Sequence, residues 1–361
     1  MLRLSLTPYT LFFAKPAATS RGDLAQREIL LVRAWDTETP EVVGWGECGP
    51  IPGLSPDASP EFAEVAAEVC AVINAGYMPL PADLAELPSL AFGLEMAQRD
   101  LAGGGTHVLW DTPFSRGEAG LPTHGLIWMD TPEGLLRQIE AKVTAGFRVI
   151  KMKVGALPLA EELHLLATVR SAFGPAQVEL RLDANGAFAP DTVLATLEQF
   201  AAFDVAYLEQ PIPAGHWSIM AGLCRRSPIP LALDEELIAV SGADCRRRLL
   251  DTILPQHLIL KPALLGGFAA AGDWIADAEA RGIQWWTNSL LESNLGLNAI
   301  CQWTAALDGS ASGVHLPSGR IHGLGTGGLF TNNFPAPVRL AGNQLIWDRD
   351  STWKLPSPQT R

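Results

Sequence analysis

Along the first 110 residues apolar positions alternate and then recur at helical spacing. RLSLTPYTLFFA, REILLVRAW and VVGWGEC read as the strands of a meander, and SPEFAEVAAEVCAVINAG and LPSLAFGLEMAQRDLAG as amphipathic helices. Strands followed by helices predict an α+β lobe. From about 121 to 315 the pattern changes to short apolar runs separated mostly by Ala/Leu-rich helical stretches: LPTHGLIWM, RVIKMKVG, VELRLDAN, VAYLEQP, PLALDEEL, HLILKPA and IQWWTNSLL. Strands alternating with helices predict a parallel α/β barrel, with an eighth strand faintly signalled near GVHL. From about 320 short strands return, NQLIWDRD most clearly, and are expected to pack against the first lobe. The expected division is an α+β capping domain over 1–110, a barrel over 111–320 and a segment over 321–361 that returns to the capping domain.

Charged residues punctuate the ends of five of the barrel runs: Lys153, Asp183, Glu209, Asp234 and Lys261, with successive gaps of 30, 26, 25 and 27 residues. Each gap is about one strand, one helix and two loops, so a barrel brings all five to one face. Lys151 and Lys153 are two apart and share one side of a strand, the interior if Ile150, Met152 and Val154 face the helices. Like-charge proximity and partial burial lower a lysine's pKa, which is how an amine becomes a base near neutral pH. Taken alone, that pair reads better as surface lysines. Asp183, Glu209 and Asp234 supply hard oxygen donors on consecutive strands and suit a divalent cation, magnesium above all. Any one of them is better read as a helix cap; three at matching strand positions are not. Asn185 and Arg181 share the side of Asp183 and are candidates to support it.

Composition excludes other classes. The chain of 361 residues carries a net charge of −13 and only 26 Lys and Arg, without a basic stripe, which argues against nucleic acid. No run of 18 apolar residues reads as a membrane span, and the N-terminal LRLSLTPYTLFFAK is broken by Pro8 and reads as a strand rather than a leader, so a cytoplasmic protein is expected. The five cysteines are scattered and form no CxxC, against a disulfide framework or thiolate zinc site. Gly323, Gly325 and Gly328 match GxGxxG but lack the flanking strand and helix of a dinucleotide site, and shape a loop instead. Trp285 and Trp286 point to opposite faces of one strand and read as packing.

In order, KMK, LDANG, LEQP, LDEE, LKP and NSLLESNLGLNAI resemble the muconate lactonizing subgroup of the enolase superfamily over essentially the whole chain. PAATSRG, LKPALLGGF and HGLGTGGLFTNNFP resemble most the branch that dehydrates 2-succinyl-6-hydroxy-2,4-cyclohexadiene-1-carboxylate in menaquinone or phylloquinone biosynthesis. The resemblance implies an α/β fold, a modified TIM barrel (β/α)7β with an α+β capping domain. It also implies Lys153 as base, Lys151 as its electrostatic neighbour, Lys261 across the substrate, and Asp183, Glu209 and Asp234 around Mg2+ or Mn2+; a lysine or histidine base with magnesium is known for the superfamily as a whole. Substrate contacts are expected from the loops Thr19 to Gly22, with Ser20, and Gly49 to Leu54, and from Ser289, Glu292, Ser293 and Gly323. Where many relatives have serine after the acidic pair, this chain has Glu236, which leaves open whether Glu235 or Glu236 supports the metal. The expected partner is a small carboxylate, bound by a monomer or homo-oligomer. Three alternatives stay open: an N-succinylamino acid racemase or dipeptide epimerase using the same lysines, though the DxD of the dipeptide version is missing from TNSLLESNLG, cycloisomerisation of a muconate, and a non-catalytic metal-binding barrel.

Overall fold

Alternating side chains build the first lobe. β1 (Leu2–Thr19), β2 (Gly22–Asp36) and β3 (Thr39–Cys48) form an antiparallel sheet in that order, the predicted meander. The computed structural model describes residues 1–19, 22–128, 130–238, 240–309 and 320–356. α1 (Phe62–Asn74) and α2 (Pro88–Ala102) cover one face of this sheet, burying Leu4, Leu30, Val32 and Ala34 against Phe62, Leu90 and Leu94. β3 reads Gly44-Trp45-Gly46, and a methyl group at either glycine would run into the backbone of α2, at Ala97 and Gly93 respectively. The helix therefore lies directly on the strand. Asp100 of α2 accepts from the Trp45 N–H at 2.9 Å and fixes the contact.

The barrel follows. β4 (Leu121–Pro122) and β5 (Gly125–Ile127) open it, and α3 (Pro132–Thr144), β6 (Val149–Lys153), α4 (Leu159–Ala172), β7 (Glu179–Asp183), α5 (Val193–Phe200) and β8 (Val205–Glu209) continue it. α6 (Trp217–Arg226), β9 (Leu231–Leu233), α7 (Ala243–Ile253), β10 (His257–Leu260), α8 (Pro262–Leu265), α9 (Phe268–Glu279), β11 (Gln284–Thr287) and α10 (Asn294–Gly309) complete the alternation. β5 to β11 form a seven-stranded parallel sheet in sequence order. Ile150, Met152, Leu180, Leu182, Leu208, Leu231, Leu233, Leu258 and Leu260 are buried in the layer between strands and helices. Because strand side chains alternate, the intervening positions point inward.

The GVHL segment expected as the eighth strand lies outside the described residues. Its place in the ring is bridged by two residues: His322 pairs with Thr123, and Gly323 with Asn288, both parallel. The C-terminal hairpin β12 (Val338–Ala341) and β13 (Gln344–Trp347) pairs with β4 in a separate three-stranded sheet, whereas the preceding segment meets the first lobe through a Phe13–Phe330 bridge and Asn332 bonds to Phe12 and Thr10. Two carboxylates of the first lobe also cap barrel helices. Glu95 of α2 accepts from Phe268 N at 2.7 Å at the start of α9, and Glu47 of β3 from Ser293 N at 2.8 Å and Gly296 N at 3.0 Å at the start of α10. Among the described residues no helix is long and apolar enough to cross a membrane.

Candidate active site

Strand register assembles the charged layer. Lys153 pairs with Asp183, and Asp183 with Glu209, across β6, β7 and β8; Glu209 pairs with Ala232, so Asp234, two residues on, shares its side. Lys151 Nζ donates to both oxygens of Glu209 at 2.7 Å and lies 2.9 Å from Asp183. Lys153 Nζ donates to Asp183 at 2.7 Å and to Asn185, and Lys261 Nζ bonds Asp234. The LDANG turn holds Asp183 in place: Asn185 adopts φ +44°, Gly186 φ +76°, and Asp183 Oδ1 accepts from Asn185 N at 3.0 Å.

Charge compensation sets the protonation states. Burial alone would lower the Lys151 ammonium, but Asp183 and Glu209 outweigh it and hold its pKa well above the ordinary lysine value, opposite to the lowering expected from the lysine pair. Burial likewise pushes against ionisation of Asp183, yet Lys151 and Lys153 hold it far below the usual carboxylate range. Glu209 is pushed up by burial and by Asp183 and Asp234. Burial and Asp234 bring Glu235 up to about 7; its Oε1 accepts from Asn185 Nδ2 at 2.9 Å while Oε2 has no partner among the described residues. Glu236 turns away, to Gln210 at 3.1 Å and the Gly215 N–H at 2.7 Å, so of the acidic pair it is Glu235 that faces the site.

Asp183, Glu209 and Asp234 are almost wholly buried hard donors whose repulsion calls for a cation, and this chemistry fits a hard divalent ion. With lysine ammonium groups on the carboxylates, no three acidic, histidine or cysteine side chains among the described residues close around one point.

A cavity lies over this charged layer. Lys151, Lys153, Asp183, Asn185, Glu235 and Lys261 line it from below, and Leu24, Ile51 and Leu54 reach over it from the first lobe. Leu126, Trp128, Leu290 and Leu291 add an apolar wall, and His124, Asn288, Ser289, Gly323 and Thr326 a polar one.

The family model described as Enolase C-terminal domain-like matches residues 134–334, and that described as MenC, N-terminal domain matches 1–101. An o-succinylbenzoate synthase from Desulfotalea psychrophila is 40% identical, over 95% of this chain and 98% of the relative. The chain belongs to the o-succinylbenzoate synthase family. The crystal structure of MenC from the same organism superposes on this family member with a TM-score of 0.81 at 37% identity, covering 96% of this chain and 99% of that one. An L-Ala-D/L-Glu epimerase from Bacillus subtilis is 25% identical over 85% of each chain.

The structure brings together most of the residues singled out from the sequence of this o-succinylbenzoate synthase family member, and separates others. Ser289 lines the cavity, but its hydroxyl donates to Glu292 at 2.5 Å and accepts from Thr326 at 2.8 Å. Glu292 faces Ser289 and the Leu290 N–H (2.8 Å), and Ser293 bonds Glu47 at the seam between lobes, so neither turns toward the cavity. Ser20 lies outside the described residues. Arg181 sits one layer below Asp183, donating to Glu179 at 2.8 Å and the Ile321 carbonyl at 2.7 Å. Leu126 and Trp128 were not singled out from the sequence, and His124, one of seven histidines without metal-site spacing, reads there as structural or surface; yet a spacing of two places all three on one side of the first barrel strand, lining the cavity.

Proposed function

We propose that this protein catalyses the Mg2+-dependent syn dehydration of 2-succinyl-6-hydroxy-2,4-cyclohexadiene-1-carboxylate to 2-succinylbenzoate. The observation that carries the reading is the convergence of Lys151, Lys153 and Lys261 on one cavity with buried Asp183 at its floor and an apolar roof. Asp183, Glu209 and Asp234 would hold the ion. When bound, it supplies positive charge to the ring carboxylate and so acidifies the adjacent carbon.

Lys153 Nζ takes the proton from that carbon, and Lys151 adjusts the field around it. Lys261, which reaches the cavity from β10 with three strands between it and β6, sets an ammonium beside the negative charge left behind. Protonated Lys153 then gives its proton to the departing hydroxyl on the same face; the C–O bond breaks, water leaves and the ring becomes aromatic. Leu24, Ile51, Leu54 and Trp128 keep bulk water from the charged intermediate. Such a reaction belongs to menaquinone or phylloquinone synthesis in the cytoplasm.

Racemisation or epimerisation is the second reading, since Lys153 and Lys261 enter the cavity from strands with three others between them and two such bases suit proton exchange at one carbon. The test is incubation of purified protein and Mg2+ with the cyclohexadiene substrate, following loss of diene absorbance, beside Lys153→Ala. The expected result is rapid turnover that falls about 10²- to 10⁴-fold or more in the variant. No turnover in folded, metal-loaded protein, with deuterium exchange into N-succinyl amino acids or dipeptides, would replace dehydration by racemisation.

A further inference from the structure

His124 is only 6% exposed, yet neither of its ring nitrogens has a hydrogen-bond partner among the described residues. Buried polar atoms are nearly always paired, so two on one cavity-lining ring call for a partner that comes from outside the chain. The backbone keeps the ring there: His124 N donates to the His322 carbonyl at 2.9 Å, inside the two-residue bridge that closes the barrel. Gly323 of that bridge leaves room beside it. A methyl group at 323 would lie 2.6 Å from His124 Nε2 and closer still to Asn288 Oδ1, so the imidazole and the Asn288 amide border the same space. Both hydroxyls on this wall are committed, Ser289 donating to Glu292 and Thr326 to Ser289.

We infer that His124 and Asn288 form the polar pair that receives the oxygen-bearing tail of the substrate, its succinyl carbonyl or carboxylate, and so act as specificity-determining residues. The inference rests on the dehydration reading, which sends the ring carboxylate and the departing hydroxyl toward the lysines and leaves the tail as the polar group still to be received. Burial, reinforced by Lys151, Arg181 and His322, holds the His124 imidazole far below its ordinary pKa. The neutral ring offers one N–H and one lone pair, and the amide supplies further donors, a set that recognises oxygen without adding charge beside the lysines. Most of the remaining wall, Leu126, Trp128, Leu290 and Leu291, is apolar and offers the tail no side-chain donor save the Trp128 indole N–H.

The test compares His124→Phe, His124→Gln and Asn288→Ala with the unsubstituted protein, after each is checked by circular dichroism. It measures kcat and KM with the cyclohexadiene substrate, and inhibition by 2-succinylbenzoate and by benzoate, which lacks the tail. His124→Phe and Asn288→Ala should each raise KM and weaken 2-succinylbenzoate about tenfold, leave benzoate unchanged and move kcat far less. His124→Gln restores an N–H donor and should recover most of the loss. Should His124→Phe fail to fold, Asn288→Ala and His124→Gln decide. Unchanged KM in the folded variants, or equal weakening of both inhibitors, would overturn the inference while dehydration stands. No turnover by the unsubstituted protein would overturn the dehydration reading and the inference together.

Discussion

The inward faces of β6 to β11 carry two layers of side chains, one directly above the other on the same strands, and the two layers meet the cost of burial by different means. At the upper level Lys153, together with Lys151 reaching up from a backbone position level with Arg181, answers Asp183 and Glu209, and Lys261 answers Asp234. In the lower layer Arg181 lies 4.6 Å over the Trp286 ring and 5.4 Å over that of Tyr207, while His257 stacks on Trp286 at 5.3 Å. Charge answered by charge can be rearranged by a substrate or an ion that takes over one partner. Charge answered by rings, a backbone carbonyl and the strand-end Glu179 carboxylate lies outside the cavity lining, where no ligand can take over a partner, and serves to hold the strands in register. The difference predicts that substitutions above should act mainly on turnover and those below mainly on stability.

The sharpest break of that contrast is Asp183→Asn. Asp183 touches both β6 lysines and is one of the three donors proposed for the ion, so its loss should lower turnover by about 10³-fold or more. Lys151 keeps Glu209 as a partner, and the barrel should remain folded by circular dichroism. An active, well-folded variant would remove Asp183 from the proposed metal set. Exhaustive chelation should silence the unsubstituted protein in the same way, with activity returning on addition of Mg2+; full activity in the chelated protein would contradict the ion requirement.

On the lower layer, Trp286→Ala should cost about 3 kcal/mol of stability, through lost packing and a lost face for the Arg181 guanidinium, and leave kcat unchanged. Denaturant unfolding beside steady-state kinetics checks it. A variant equally stable but slow would show that the two layers are coupled.

What the sequence made readable follows from two periods. The strand period of two and the βα spacing of 25 to 30 residues place Lys153, Asp183, Glu209, Asp234 and Lys261 on one face of one ring, and the structure has them there. The same period gave Arg181 the correct side but could not tell its level, about 7 Å lower on the strand. Beyond the strand ends the period no longer applies. After β11 the chain turns at Leu291, φ +62°, and this sends Glu292 and Ser293 away from the cavity although they lie only a turn beyond Ser289. His124 obeyed the period, but the first barrel strand carries no acid or lysine to draw attention to it. Contacts such as Glu95 with Phe268 and Glu47 with Ser293 join residues 173 and 246 positions apart, and no local pattern encodes them.

Glu47 shows a third way of burying charge, against helix N–H groups, and it should give the smallest effect. It is 1% exposed and accepts from Ser293 N, Ser293 Oγ and Gly296 N. Burial raises its pKa, opposed by Arg27 and by the Ser293 bonds. A carboxyl whose pKa is higher folded than unfolded binds more protons in the native state between those two values. Its contribution is therefore full below the unfolded value of about 4.3 and declines as pH rises through the folded one. Gln resembles the protonated form, so Glu47→Gln should change stability by about 1 kcal/mol or less near neutral pH, whereas Glu47→Ala strands two buried N–H groups and should cost about 1–3 kcal/mol. The Gln variant should also lack the decline, so that its stability relative to the unsubstituted protein improves from pH 4 toward neutrality. Urea unfolding midpoints across that range measure the difference. A gap that does not vary with pH would mean that Glu47 is ionised throughout and that the α10 N-terminus compensates it fully, making the seam between the lobes a charge site of the same kind as the upper layer of the barrel.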